Sequence, residues 1–140
     1  MNDETRMWLG YAEENLQSAE LLLKNHLWNP CLQNAQQAVE KFLKALLIEC
    51  AIPLKRTHSI NELARMLAER GIESGLTEDQ CDLLDSIYLP SKYPLGSALP
   101  RFVPDEEVSR QCAQIAERVA ERVRHLLSDV GQTLTDATRD

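Results

Sequence analysis

The chain has 140 residues, of which 44% are hydrophobic and 26% are charged, and its formal net charge is −7 at pH 7. This length provides one domain with a single core, and this composition excludes a chain that is disordered throughout. The acidic charge also excludes a protein that coats nucleic acid through bulk attraction to phosphate.

Hydrophobic residues recur every three to four positions through the first fifty residues and predict two long helices. The first helix is predicted over about residues 4–24 and the second, which has the broadest apolar face in the chain, over about residues 30–50. Asn29 followed by Pro30 is typical of a helix N-cap and the first helical residue. Residues 25–29 are therefore predicted to connect the two helices.

Two capping boxes predict the starts of two shorter helices in the middle of the chain. One box opens at Ser59 and the other at Thr77, and each has Glu or Gln three residues later. In this motif the hydroxyl accepts a hydrogen bond from a free backbone amide, and the later side chain reaches back. The first of these helices is predicted to end before Gly71, which favours a helix C-terminus, and the second near Tyr88.

Four prolines, at positions 90, 94, 100 and 104, predict an ordered loop between Tyr88 and Pro104. The last helix is predicted to begin around Asp105, and residues 131–140 are predicted to be a polar, disordered tail. Together these elements predict an all-α protein. Its architecture is an up-and-down four-helix bundle with an additional short helix, and its single domain spans residues 1–130.

The sequence predicts a cytoplasmic protein with reduced thiols. The N-terminus is acidic and lacks the basic start and apolar stretch of a signal peptide, and no apolar stretch is long enough to cross a bilayer. The four cysteines lie far apart, form no C-x-x-C pair and are surrounded by apolar residues. Buried free thiols are therefore favoured over disulfides or a metal site, and no metal is predicted.

Positive charge is concentrated on the second helix, in the segment that follows it and in the proline loop after Tyr88. The residues that carry it are Lys41, Lys44, Lys55, Arg56 and Lys92. Lys41 and Lys44 are three residues apart and share a helix face with Gln37, which is one turn earlier. Such a cluster on an acidic chain favours a small phosphate-bearing ligand over a long duplex. The alternative is that these lysines only solvate the helix.

Three segments of the chain together resemble a known signature. Residues 36–47 read QQAVEKFLKALL, residues 56–60 read RTHSI, and residues 88–94 read YLPSKYP. In order and spacing they are similar to the second-helix signature, the T-H-x-L segment and the Y-x-P-x-R-Y-P loop of HEPN domains, the nucleotide-binding helical domains of prokaryotes and higher eukaryotes. The resemblance covers about residues 5–128. Lys92 stands where the pattern has Arg, and Lys cannot hold a phosphate with two parallel hydrogen bonds.

The resemblance implies a helical bundle that dimerises and works with a minimal nucleotidyltransferase in a toxin–antitoxin-like pair. We therefore expect a homodimeric, nucleotide-binding HEPN protein that requires no cofactor and takes a nucleotide such as ATP as its ligand. The expected nucleotide-binding residues are Gln37, Lys41, Lys44, His58, Lys92 and Tyr93. For His58 and Tyr88, packing within the loops is the alternative to contact with a ligand.

Two other functions stay open at the level of the sequence. Some HEPN proteins are metal-independent ribonucleases with an R-x(4–6)-H motif, and Arg118 with His125 matches this spacing. Roughly 0.6 such matches are expected by chance in a chain of this composition, and the apolar Val119 follows the arginine where a polar residue is usual. The catalytic alternative therefore names Arg118 and His125, with RNA as substrate. The third function is a purely structural interaction module.

Overall fold

The computed structural model describes residues 1–92 and 103–138, and within these ranges the chain forms five helices and no strand. The helices are α1 (Asp3–Lys24), α2 (Trp28–Glu49), α3 (Ile60–Ala68), α4 (Glu78–Lys92) and α5 (Glu106–Thr138). The predicted all-α fold class is therefore confirmed, with α3 as the short helix beside four longer ones. Most of the predicted proline loop, including Tyr93, lies outside the described residues.

The second helix, α2, is the centre of the fold. It packs against all four other helices, and 13 of its 22 residues are buried. A helix that is covered on most sides forms the core of a bundle. The core side chains of α2 include Phe42 and Leu46, each of which contributes about 1.5–3 kcal/mol when it leaves water. Three polar residues of α2 are buried with them, namely Gln36, Glu40 and Lys44.

The two capping boxes form at the predicted positions but differ in detail. At α4, Gln80 N donates to Thr77 Oγ1 at 3.1 Å, and Thr77 N donates to the Gln80 side chain at 3.0 Å, which completes the box. At α3, Glu62 N donates to Ser59 Oγ at 3.1 Å. The reciprocal bond of the box would run from Ser59 N to the Glu62 side chain, but Ser59 N donates to Thr57 Oγ1 in its place. The starts of both helices are confirmed.

The start of α2 differs from the prediction. The helix begins at Trp28, so Asn29 lies inside its first turn and is not the N-cap. The first helical hydrogen bond runs from Cys31 N to Leu27 O at 3.1 Å. Pro30 is tolerated at this position because the amides of a first turn have no acceptor within the helix.

The end of α4 also differs from the prediction. The helix does not stop near Tyr88 but continues to Lys92, with Pro90 in its last turn. A proline so close to a helix end removes a single hydrogen bond. Leu84 and Ile87 are buried in the core immediately before it, and their packing holds this part of the helix in place.

The last helix, α5, begins where the sequence predicts and extends further. Val108 N donates to Asp105 Oδ1 at 2.8 Å, which makes Asp105 the N-cap. The helix continues past Gly131, where the polar tail was predicted to begin, and ends at Thr138. One glycine inside a helix costs only about 1 kcal/mol, so it does not stop a long helix. The predicted domain boundary at residue 130 stays a prediction.

All four cysteines are free, and three of them are buried. Burial raises the pKa of the Cys31 and Cys81 thiols to about 11 and that of Cys112 to about 12. Cys50 is only half-buried. In the described ranges no His, Cys, Asp and Glu side chains form a group that could hold a metal ion. Across the same ranges, none of the helices combines the length and apolar character that a membrane span requires.

Candidate functional site

A buried ion pair lies on the central helix α2. The carboxylate of Glu40 and the ammonium of Lys44 are one turn apart, with Oε2 and Nζ separated by 3.2 Å. Glu40 is 3% exposed and Lys44 8% exposed. Removing either charge from water costs several kcal/mol unless it is paired. The two residues therefore stabilise each other as a fixed charged centre inside the bundle.

The loop before α3 places His58 against this pair. His58 Nδ1 lies 3.0 Å from Glu40 Oε1, and the imidazole stacks on the Tyr88 ring with centroids 4.8 Å apart and planes 16° from parallel. When His58 Nδ1 carries the proton, it donates a hydrogen bond to Glu40 Oε1, and Nε2 remains as the second polar atom of the ring. Because the His58 side chain is 55% exposed, this part of the cluster faces solvent.

Asp85 of α4 fixes the position of the His58 loop. Its carboxylate accepts hydrogen bonds from Ile60 N at 2.6 Å, from Asn61 N at 3.2 Å and from Ser59 Oγ at 3.2 Å. Tyr88 lies one turn further along α4, so the same helix holds both the loop and the ring on which His58 stacks. Asp85 thereby supplies the negative charge that the N-terminus of α3 favours, and it occupies the amides that a ligand anion would otherwise contact.

Trp8 of α1 closes the other side of the ion pair. The Lys44 ammonium lies over the indole ring, 5.4 Å from its centroid. Trp8 is half-buried, and its indole Nε1 is buried with no hydrogen-bond partner. The contacts therefore run in sequence from Trp8 through Lys44 and Glu40 to His58 and Tyr88. We call these five residues the Glu40 cluster.

The structure brings together only some of the predicted nucleotide-binding residues. Lys44 and His58 meet through Glu40, whereas Lys41 turns towards α1, where its Nζ donates to Asn15 Oδ1 at 2.6 Å. Burial is the main cause that lowers the pKa of Lys41. Gln37 Nε2 donates to Gln36 Oε1 at 2.7 Å.

Two predicted ligand contacts lie at and beyond the end of α4. Tyr93 lies outside the described residues, and of Lys92 the structure describes only the backbone. Both therefore stay predictions. The alternative that the lysines of α2 only solvate the helix is wrong for Lys44, which is buried.

The residues that organise this site, Glu40 on α2 and Trp8 on α1, are not among the ligand contacts that the sequence predicts. The spacing of Gln36, Glu40 and Lys44 at intervals of four residues was the available signal, since it places all three on one helix face.

The ribonuclease candidates lie elsewhere, on the surface of α5. Arg118 and His125 are both exposed, and with six residues between them they lie about 10 Å apart along the axis of α5. His125 Nε2 lies 3.3 Å from Asp129 Oδ2, whereas Arg118 lines an open groove of about 530 Å³ between α1 and α5. Val119 is buried, as expected for the apolar stripe. Within one chain the two residues therefore lie in separate surroundings.

Comparison with known proteins identifies relatives of this fold and sequence. The family model for the HEPN domain matches residues 5–126. A Methanocaldococcus jannaschii protein named "Putative toxin MJ1304" is 28% identical over 131 residues, which are 89% of this chain and 86% of that protein. The crystal structure of TT1696 from Thermus thermophilus is 26% identical with a TM-score of 0.70, covering 89% of this chain and 98% of that one. The crystal structure of ST0689, an archaeal HEPN homologue, is 26% identical with a TM-score of 0.65, covering 87% and 96%.

Proposed function

Because this chain belongs to the HEPN family, we propose that it is the nucleotide-binding, toxin-type member of a pair whose other member is a minimal nucleotidyltransferase. The observation that carries nucleotide binding is the Glu40 cluster, in which a buried ion pair holds His58 against Tyr88. The similarity to a protein whose name includes the word toxin supports the toxin-type assignment.

The Glu40 cluster has the features that a nucleotide site uses. The half-exposed imidazole of His58 presents an aromatic face and a free polar edge, and both can contact a ligand. Lys92 and Tyr93, at the end of α4 and just beyond it, are the proposed phosphate and base contacts. A charge-assisted hydrogen bond contributes about 1.5–3 kcal/mol, so two such bonds give a dissociation constant of roughly tens of micromolar at best. This affinity weakens as salt rises.

Isothermal titration calorimetry with the four ribonucleoside triphosphates tests this site. His58→Phe keeps an aromatic ring beside Tyr88 but removes both ring nitrogens, and Lys92→Ala removes the proposed phosphate contact. We expect each variant to weaken binding at least tenfold. Lys24→Ala is the matched control, because Lys24 lies about 24 Å along α1 from Trp8, and it should leave the affinity unchanged. The absence of binding at millimolar nucleotide, or binding that ignores both variants, contradicts the proposal.

The partner and the homodimer require separate measurements. Expression of the chain alone should slow growth, and co-expression of a minimal nucleotidyltransferase encoded beside it should relieve this effect. Sedimentation velocity at micromolar concentration should give twice the chain mass of 15.9 kDa. Half-exposed apolar side chains on α1, namely Met7, Tyr11 and Leu21, support self-association because such side chains are favoured at interfaces.

The endoribonuclease alternative makes a different prediction. In our proposal, purified protein incubated with RNA and a metal chelator leaves the RNA intact, because the Arg118–His125 match is at the level expected by chance and the buried Val119 follows the arginine where a polar residue is usual. Metal-independent cleavage that His125→Ala abolishes would replace our proposal with the enzymatic one. If neither nucleotide nor RNA binds and no activity is found, the structural interaction module is the function that stands.

A further inference from the structure

A small pocket lies between α5 and the loop that leads into α4. Its volume is about 100 Å³. Ile115 and Val119 of α5 line its inner side, where both are buried in the core. Residues 74–76 of the loop and Gln80 of α4 line the opposite side. The pocket is therefore built by three separate segments of the chain around an apolar floor.

Two arginines of α5 complete the lining, and they are the unpaired arginines of that helix. Of the four arginines in α5, Arg110 and Arg124 each pair with a glutamate. Arg118 and Arg122 line the pocket, and neither forms an ion pair in the part of the chain that the structure describes. Because they are four residues apart, they share one face of the helix. Two positive charges without a partner charge therefore border the same small pocket.

The polar side chains of the pocket keep unused hydrogen-bond donors. Arg122 Nε donates to Glu73 O at 3.0 Å, which holds the guanidinium against the loop and leaves its other four N–H groups for a ligand. Gln80 Oε1 accepts a hydrogen bond from Thr77 N, so the amide NH₂ is the free end of this side chain. Within the described ranges, no carboxylate side chain lines the pocket. The pocket thus offers donors and positive charge together.

We propose that this pocket binds a phosphate group, either as inorganic phosphate or at the end of a small phosphomonoester. A phosphate monoester carries a charge of about −1.5 to −2 at pH 7, which matches the two guanidinium groups. A carboxylate would neutralise only one of them. Each guanidinium can also hold two phosphate oxygens through parallel hydrogen bonds, because its planar donors match the spacing of these oxygens.

The volume of the pocket limits the ligand to a group of this size. A water molecule takes about 30 Å³ in the liquid, so a pocket of about 100 Å³ holds only a few heavy atoms. A phosphate group meets this limit, whereas a nucleoside exceeds it. Any organic part of a phosphomonoester must therefore extend out of the pocket into solvent.

The pocket is separate from both sites considered above. Gln80 and Tyr88 lie about 12 Å apart along α4, so the pocket and the Glu40 cluster are at opposite ends of that helix. His125, the second residue of the ribonuclease candidate, does not line the pocket. The inference therefore goes beyond the proposed function and adds a second place on the chain where a phosphate group binds.

Titration of the ¹⁵N-labelled full chain at constant ionic strength tests the pocket, with inorganic phosphate, methyl phosphate and acetate as probes. Gly75 reports binding, because its backbone lies against the Arg122 stem: a Cβ on Gly75 would be 3.8 Å from Arg122 Cγ. Inorganic phosphate should move the Gly75 amide signal, and acetate should bind about tenfold or more weakly. If methyl phosphate moves the signal as well, the ligand is a phosphomonoester. If only inorganic phosphate does, the ligand is free phosphate.

Arg118→Gln and Arg110→Gln are matched variants, because each removes one positive charge from α5. Arg118→Gln should weaken phosphate binding by about tenfold or more, since a charge-assisted hydrogen bond is lost. The fold should be unaffected, because Arg118 is exposed. Arg110 lies about 12 Å before Arg118 along the helix, so Arg110→Gln should leave binding unchanged. Arg118→Lys keeps the charge but not the planar donors and should give an intermediate loss.

Four results would overturn the proposal. They are an absence of binding at millimolar phosphate, an unmoved Gly75 signal, equal losses in Arg118→Gln and Arg110→Gln, and acetate that binds as tightly as phosphate. None of them bears on the Glu40 cluster, whose nucleotide binding is tested by its own variants.

Discussion

Replacing Lys44 by Met tests the energetic role of the buried ion pair. The methionine keeps most of the volume and the unbranched stem of the lysine, so the core stays filled. The change removes the ammonium that faces the Glu40 carboxylate at 3.2 Å and the Trp8 ring at 5.4 Å. Glu40 is then left buried, with the His58 imidazole as its remaining polar contact in the cluster.

The expected loss of stability is large. The side chains of Lys44 and Glu40 are 10% and 4% exposed, and removing one partner of a pair buried to this degree costs about 3–5 kcal/mol. Domains have unfolding free energies of about 5–15 kcal/mol, so the variant loses a fifth or more of its stability. At about 3 °C per kcal/mol for a chain of this length, Tm falls by roughly 10–15 °C.

Urea denaturation followed by circular dichroism measures the effect, with Lys55→Met as the matched control. The Lys55–Glu62 pair is separated by 3.8 Å with side chains 64% and 31% exposed, so its loss costs at most about 1 kcal/mol. The combined Glu40→Met and Lys44→Met change should cost less than the sum of the two single changes, because it leaves no unpaired charge. Equal losses in the Lys44 and Lys55 variants, or strict additivity in the combined one, would refute the reasoning.

Backbone strain, thiol burial and the α3 cap each lead to a further prediction. Ala51, just after α2, has φ +57°, so Ala51→Gly should raise the unfolding free energy by about 1 kcal/mol. Gly71 has φ +75° and open space around it, so Gly71→Ala should lower the unfolding free energy by a similar amount. The same urea titrations measure both changes. Burial raises the pKa of the Cys112 thiol from 9.0 to about 12, so its stabilisation is complete below pH 9 and is lost as pH rises towards 12. Urea titrations across this range should show a shallower decline for Cys112→Ala, and an identical decline would contradict the assignment. Asp85→Ala should speed hydrogen exchange of the Ile60 amide in NMR, because this amide loses its hydrogen-bond acceptor. Unchanged exchange would contradict the role of Asp85 at the start of α3.

Local signals in the sequence predict most of the fold. Ser59 and Thr77 start their helices as expected because a capping hydroxyl acts within four residues. Gly71 ends α3 as expected: Ile72 N donates to Leu67 O and Gly71 N to Ala68 O, the pairing of a Schellman motif. Two of the ends that differ have a proline inside a terminal turn, Pro30 in α2 and Pro90 in α4, and there tertiary packing outweighs the local preference. The third is the end of α5, which continues through Gly131 because a single glycine costs too little to stop a long helix.

The site is less predictable because its contacts join distant segments. His58 meets Glu40 across 18 positions of the chain, and Trp8 reaches Lys44 from another helix. A helical pattern of apolar and polar residues assigns charged side chains to the solvated face, and for a helix at the surface that assignment is sound.

The extent of the apolar face of α2 contains the information that this assignment overlooked. Six consecutive residues of α2, from Phe42 to Leu47, are all buried. Because successive helical residues are turned by about 100° around the axis, neighbours must cover α2 on most of its sides. Polar residues on such a helix are buried by geometry, and each of them must then find a partner. Glu40 finds its partners in Lys44 and His58. Gln36 Nε2 has no partner, so Gln36 is the polar residue of this face whose burial costs stability.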